Sequence, residues 1–104
     1  MEEENVLEKA EKVLIRKRLI EEYSKATACV RDTFTELSQT TMSGQDYIKT
    51  FSGLIVVLGQ TADRMIYFLG KVAEEIPVPH FDQELKRMEE LNRILSMAKS
   101  KLKG

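Results

Sequence analysis

The chain has 104 residues, of which 42% are hydrophobic and 32% charged, and its formal net charge is −1. That length holds a single domain, residues 1–104, and that balance belongs to a folded chain rather than a disordered one. A net charge so close to zero excludes a global field that would draw in nucleic acid or anionic lipid, so binding of either would need a local patch.

Residues 2–41 contain neither Gly nor Pro and open on Glu2-Glu3-Glu4, an acidic start that suits a helix N-terminus. Apolar positions Val6, Ala10, Val13, Ile20, Tyr23, Thr27, Val30, Phe34 and Leu37 keep helical spacing apart from a gap at Lys17. The modest helix propensity of Ser24 to Cys29 makes residues 23–29 the place where a bend would fall. The acidic start is also the reverse of a cationic signal-peptide opening. The lone Cys29 cannot close an intrachain disulfide, and with that start it points to a reducing, cytoplasmic location.

Ser43 is placed to cap a second helix, with Asp46 three residues on completing an acidic variant of the capping box. This helix is predicted over residues 44–76, because Ile48, Phe51, Ile55, Leu58, Ala62, Met65, Leu69, Val72 and Ile76 recur in unbroken three-four steps. A second stripe, Ser52, Val56, Gly59, Asp63, Ile66 and Gly70, is rotated by about 100° from the first. Most of its members are small. A glycine inside a helix costs about 1 kcal/mol against alanine, so Gly53, Gly59 and Gly70 imply close approach of another backbone. The apolar run Leu54 to Leu58 is far short of the roughly 20 residues that cross a bilayer, and no membrane span is predicted.

Pro77 and Pro79 forbid continuation of that helix, and a third is predicted over residues 81–103. Its acidic residues Asp82 and Glu84 lie near the start and its basic residues Arg93, Lys99, Lys101 and Lys103 near the end, as the helix dipole prefers. Phe81, Leu85, Met88, Leu91, Leu95, Ala98 and Leu102 give it one apolar side, expected to pack back over the central helix.

Helix lengths then bear on assembly. An unbroken first helix would be roughly 58 Å long and the second roughly 48 Å, whereas a compact domain of this size is roughly 33 Å across. The fold class expected is therefore all-α: an antiparallel bundle of three long helices completed by oligomerisation, most simply as a dimer. Its helix interface is Ile48, Phe51, Ile55, Leu58, Ala62, Met65, Leu69 and Val72, with Gly59 and Gly70 allowing close approach.

Among polar residues, Asp63 stands out, lying between apolar turns beside Arg64 and one turn before Tyr67. The three together suggest a polar contact that fixes register between subunits, or the lining of a small-ligand cavity. Arg16, Lys17 and Arg18, with Lys99, Lys101 and Lys103, form the basic patches available to nucleic acid, but no aromatic stacking platform accompanies them. His80, the single histidine, and Cys29 cannot make a zinc set, no Glu-x-x-His pair exists for a di-iron centre, and no phosphate-binding loop is present. No cofactor or metal is predicted. Met42, Met65, Met88 and Met97 read as core filling more readily than as an adaptable peptide groove.

The sequence thus leads to a non-enzymatic interaction or assembly protein: a homo-oligomeric bundle, an adaptor or a small subunit that binds protein partners through apolar helix faces. The alternatives are a nucleic-acid-associated accessory protein and a small-ligand-binding bundle.

Overall fold

The computed structural model describes residues 2–103, with side chains over residues 6–70 and 73–102. Three α-helices follow one another: α1 (Glu2–Ser38), α2 (Gly44–Leu69) and α3 (Val78–Lys103). No strand occurs among the described residues. A short 3-10 turn, Lys71–Glu75, separates α2 from α3. The chain runs up, down and up. Phe34 of α1 meets Phe51 of α2, so consecutive helices are antiparallel, while Glu22 bonds Asn92 and Asp32 bonds Lys99 in the same direction along α1 and α3.

α1 is one unbroken helix of 37 residues, about 56 Å long. The weak formers at 23–29 do not end it, because Tyr23, Ala26 and Val30 on its inner side are all buried against α3 and α2. Its last turn closes three residues earlier than the spacing suggested, with Gln39 N–H donating to Glu36 O and Thr40 N–H to Leu37 O. The α2 start is as expected: Ser43 is the N-cap, its Oγ accepts from Asp46 N–H at 3.4 Å, and Oγ donates to Asp46 Oδ2 at 3.0 Å.

The end of α2 differs from the predicted residue 76. The helix stops at Leu69, and Gly70 follows with extended backbone, φ −85° and ψ −166°. A Cβ built on Gly70 would overlap the carbonyl oxygen of Ile66. Its absence lets the chain fold back over the last turn. Val72 therefore lies in the 3-10 turn and not on the α2 stripe, and its side chain is outside the described residues. Ile76, buried beyond that turn, reaches the core from a separate element. Gly70→Ala is expected to cost about 1–3 kcal/mol, read as a lowered midpoint in urea with an unchanged slope. A stability within error of the parent would show that the Ile66 carbonyl can move aside.

α3 begins at Val78, three residues before the expected start, because Pro79 is tolerated in a first turn whose N–H groups have no helical partner. α3 packs mainly along α1 rather than over α2. The core is accordingly built from Leu19, Tyr23, Val30 and Leu37 of α1 against Phe81, Leu85, Met88 and Leu95 of α3, with α2 contributing Leu54 and Phe68. The radius of gyration is 16.9 Å and the extents are 61 × 22 × 16 Å, whereas a compact chain of this length has a radius near 13 Å. The rod shape inferred from helix lengths is the observed one.

Candidate functional site

Two features stand apart from ordinary core packing: an outward apolar face on α2 and a buried carboxylate held by all three helices. The inward side of α2 is Leu54, Thr61 and Phe68, one residue every two turns, flanked by the partly buried Val57, Met65 and Leu69. The stripe read from sequence as the helix interface lies to one side of this inward line. Ile48, Ile55 and Ala62 are exposed, Phe51 and Leu58 are 41% and 37% exposed with Phe51 against Phe34 of α1, and Met65 and Leu69 pack against the core. The two faces lie about one helical residue apart, so a continuous three-four repeat could not by itself say which would face α1.

Along the outward side, Ile48, Ser52, Ile55, Gly59, Ala62 and Ile66 follow one another in steps of four and three. The three isoleucines are 64%, 46% and 72% exposed. Nothing lies within 4 Å of a Cβ placed on Gly53 or Gly59, so no helix of this chain makes the close approach those glycines implied. Only Gly70 meets backbone, and that backbone is its own helix end. Val56, from the second sequence stripe, widens the face. Between Lys49 and Asp63 α2 carries no charge, and neither of those residues makes an ion pair within the described chain.

The polar feature centres on Glu84, whose side chain is 1% exposed. Tyr23 Oη of α1 donates to its Oε2 at 2.8 Å, and Arg64 Nε of α2 donates to Oε1 and Oε2 at 2.9 and 3.0 Å. Arg87, one turn on, adds Nε to Oε1 at 2.8 Å. Burial alone would raise the Glu84 carboxyl, but the donors from Arg87, Tyr23 and Arg64 together hold it below the usual carboxylate range. Tyr23 is displaced upward, first by burial and then by its hydrogen bond to the Glu84 anion. Both shifts move these groups away from neutrality. The carboxylate thereby ties α1, α2 and α3 together through Tyr23, Arg64 and Arg87.

No protein family, curated protein or solved structure matches this chain.

An open cleft of about 390 Å³ lies over the cluster, lined by Arg64, Tyr67, His80 and Gln83 among others. Arg64 and Tyr67, paired in the sequence analysis, share it. Asp63 instead borders a neighbouring recess with Gln60, Arg64 and Arg87. The register contact that Arg64 makes is therefore with Glu84 inside the chain, a partner that sequence reading assigned to the helix dipole. A legible sign was available: Glu84 sits three residues after Phe81 and four before Met88, on the apolar side of α3.

The basic residues do not converge. Arg16 lies 5.9 Å over the Phe81 ring, Lys17 is exposed and Arg18 pairs with Glu89 at 3.6 Å. Lys99 pairs with Asp32 at 3.2 Å, toward the far end of α3, while Lys101 is exposed and the Lys103 side chain lies outside the described residues. The described residues include no cluster of three or more His, Cys, Asp or Glu able to hold a metal, and no helix long and apolar enough to cross a membrane.

Proposed function

We propose that this chain is a non-enzymatic assembly protein whose working form is a homo-oligomer built through the outward face of α2. The observation that carries this reading is the exposed row of Ile48, Ile55 and Ile66 on a helix whose other side is already committed to the core. Large apolar side chains grouped on one face of a soluble chain mark an association surface, unlike single exposed residues scattered over a fold. The chain exposes 7431 Å², whereas a compact 12.0 kDa monomer ordinarily exposes about 6,000 Å². That excess belongs to the rod as a whole, the exposed Val6, Leu7, Val13 and Leu14 of α1 included.

In this reading α1 and α3 form the rigid spine, the Glu84 cluster sets how α2 lies on that spine, and α2 presents its remaining side to a partner. Light scattering across micromolar to sub-millimolar concentration tests it. The expected result is a species heavier than the 12.0 kDa chain, reduced to the chain mass by Ile55→Glu without loss of helicity. A parent protein at chain mass over the whole range would overturn it.

A further inference from the structure

Resting on that reading, we infer that the α2 face binds a second copy of this chain in antiparallel fashion, about a two-fold axis passing close to Ile55, with Lys49 of each copy paired to Asp63 of the other. An isologous contact needs a surface complementary to itself, and the order of side chains along α2 meets that condition. Reversing the helix about a point between Ile55 and Val56 sets, to within one residue's rise, Ile48 opposite the partner's Ala62, Ser52 opposite the partner's Gly59, and Ile55 beside its own counterpart. Each large residue faces a small one or the axis, so layers interdigitate instead of colliding. The open space at Gly59 then has a use: with no side chain there, the two backbones can draw close at the flanks of the axis.

Charge supplies the register. In an antiparallel pair, residues on the same flank of the two helices meet. Lys49 and Asp63 share a flank of α2, each lies just beyond an end of the chargeless stretch, and each lacks an ion pair among the described residues. The reversal that aligns Ser52 with Gly59 also brings Lys49 to within one residue's rise of the partner's Asp63, twice by symmetry. A parallel arrangement in register would instead put the two Lys49 side chains on opposite sides of the seam, and the two Asp63 likewise, leaving all four charges unpaired. One slid by half the helix would strand Ile48 or Ile66 in water. The net charge of −1 leaves no general repulsion to overcome.

The test is a charge exchange read by the dimer dissociation constant, from sedimentation equilibrium or concentration-dependent light scattering. Lys49→Asp is expected to weaken association about tenfold, because two exposed opposite-charge pairs become two like-charge pairs. Adding Asp63→Lys should restore the parent affinity, an outcome that neither variant's effect on folding would produce. Cysteine placed at Ile55 should also cross-link two copies under mild oxidation, in a background where Cys29 is replaced by serine. A double variant no tighter than Lys49→Asp, with Ile55→Glu still reducing the mass, would overturn the antiparallel register and leave the α2 interface standing. If Ile55→Glu fails to reduce the mass of an oligomeric parent, the α2 interface and this register fall together.

Discussion

Glu84→Ala is expected to lower stability by about 3–5 kcal/mol, the magnitude typical of removing one member of a buried ion pair. Three consequences combine. Tyr23 is fully buried and loses the acceptor for its hydroxyl, Arg64 and Arg87 lose the anion that fixed them, and a void opens beside Phe81 and Met88. The two arginines are partly exposed and can turn to water, which places the larger share of the loss at the Tyr23 hydroxyl and the void. Glu84→Gln keeps the shape and one acceptor, so it should fall between the parent and Ala. Equilibrium urea unfolding with constant slope is the measurement, and an Ala variant within 1 kcal/mol of the parent would show that the cluster is incidental.

The same group gives a pH dependence of definite sign. Its folded carboxyl titrates below the unfolded value near 4.3, so the unfolded chain binds the proton more readily. The stabilisation is fully present above that value and is lost as pH falls through the folded pKa. Melting temperature should therefore decline below about pH 4, and Glu84→Gln should flatten that decline. Tyr23 acts at the other limit. Its folded pKa is raised above the unfolded value near 10, so its contribution holds below that pH and is lost as pH rises past it.

Leu19→Ala is expected to cost about 2–5 kcal/mol, whereas Ile20→Ala beside it should change stability by less than about 0.5 kcal/mol. Leu19 is fully buried and Ile20 is 50% exposed. The contrast decides the rotational setting of α1, since a helix turned by one residue would invert the two results. Thermal and urea unfolding of the pair of variants would settle it, equal losses being the result that the observed packing forbids.

That contrast also marks where sequence reading stops. Ser43, Gly44 and the two prolines punctuate the chain through local chemistry, a side-chain cap and a fixed backbone torsion, and these are legible because they act within a few residues. The continuity of α1 follows from its lack of Gly and Pro. Facing is a different kind of information. Apolar residues surround more than one side of α1 and α2, with Val6, Val13 and Ile20 on one edge of α1 and Leu19, Tyr23 and Ala26 on another, so periodicity alone gives two answers. The choice between them is made by α3, whose contacts with α1 lie 60 or more residues away in sequence. Glu84 shows both kinds: its place between Phe81 and Met88 and its spacing from Arg87 are local, but the donors Tyr23 and Arg64 come from α1 and α2, which no local pattern reveals. Gly70 combines both cases, since the three-four repeat runs on through Val72 and Ile76 while the backbone has already turned.

The parallel pairing of α1 with α3 has a consequence for how the chain reaches this state. Helical bundles usually fold fast because most of their contacts are between chain neighbours. Here the principal seam joins the first helix to the last, with Tyr23 and Glu84 separated by 61 positions and Glu22 and Asn92 by 70. The α1–α2 hairpin can form as soon as both helices exist, but on a ribosome it must wait for α3 with Leu19, Tyr23 and Val30 uncovered. During that interval the inner and outer sides of the hairpin are both apolar, and synthesis, not helix formation, sets how long they stay bare.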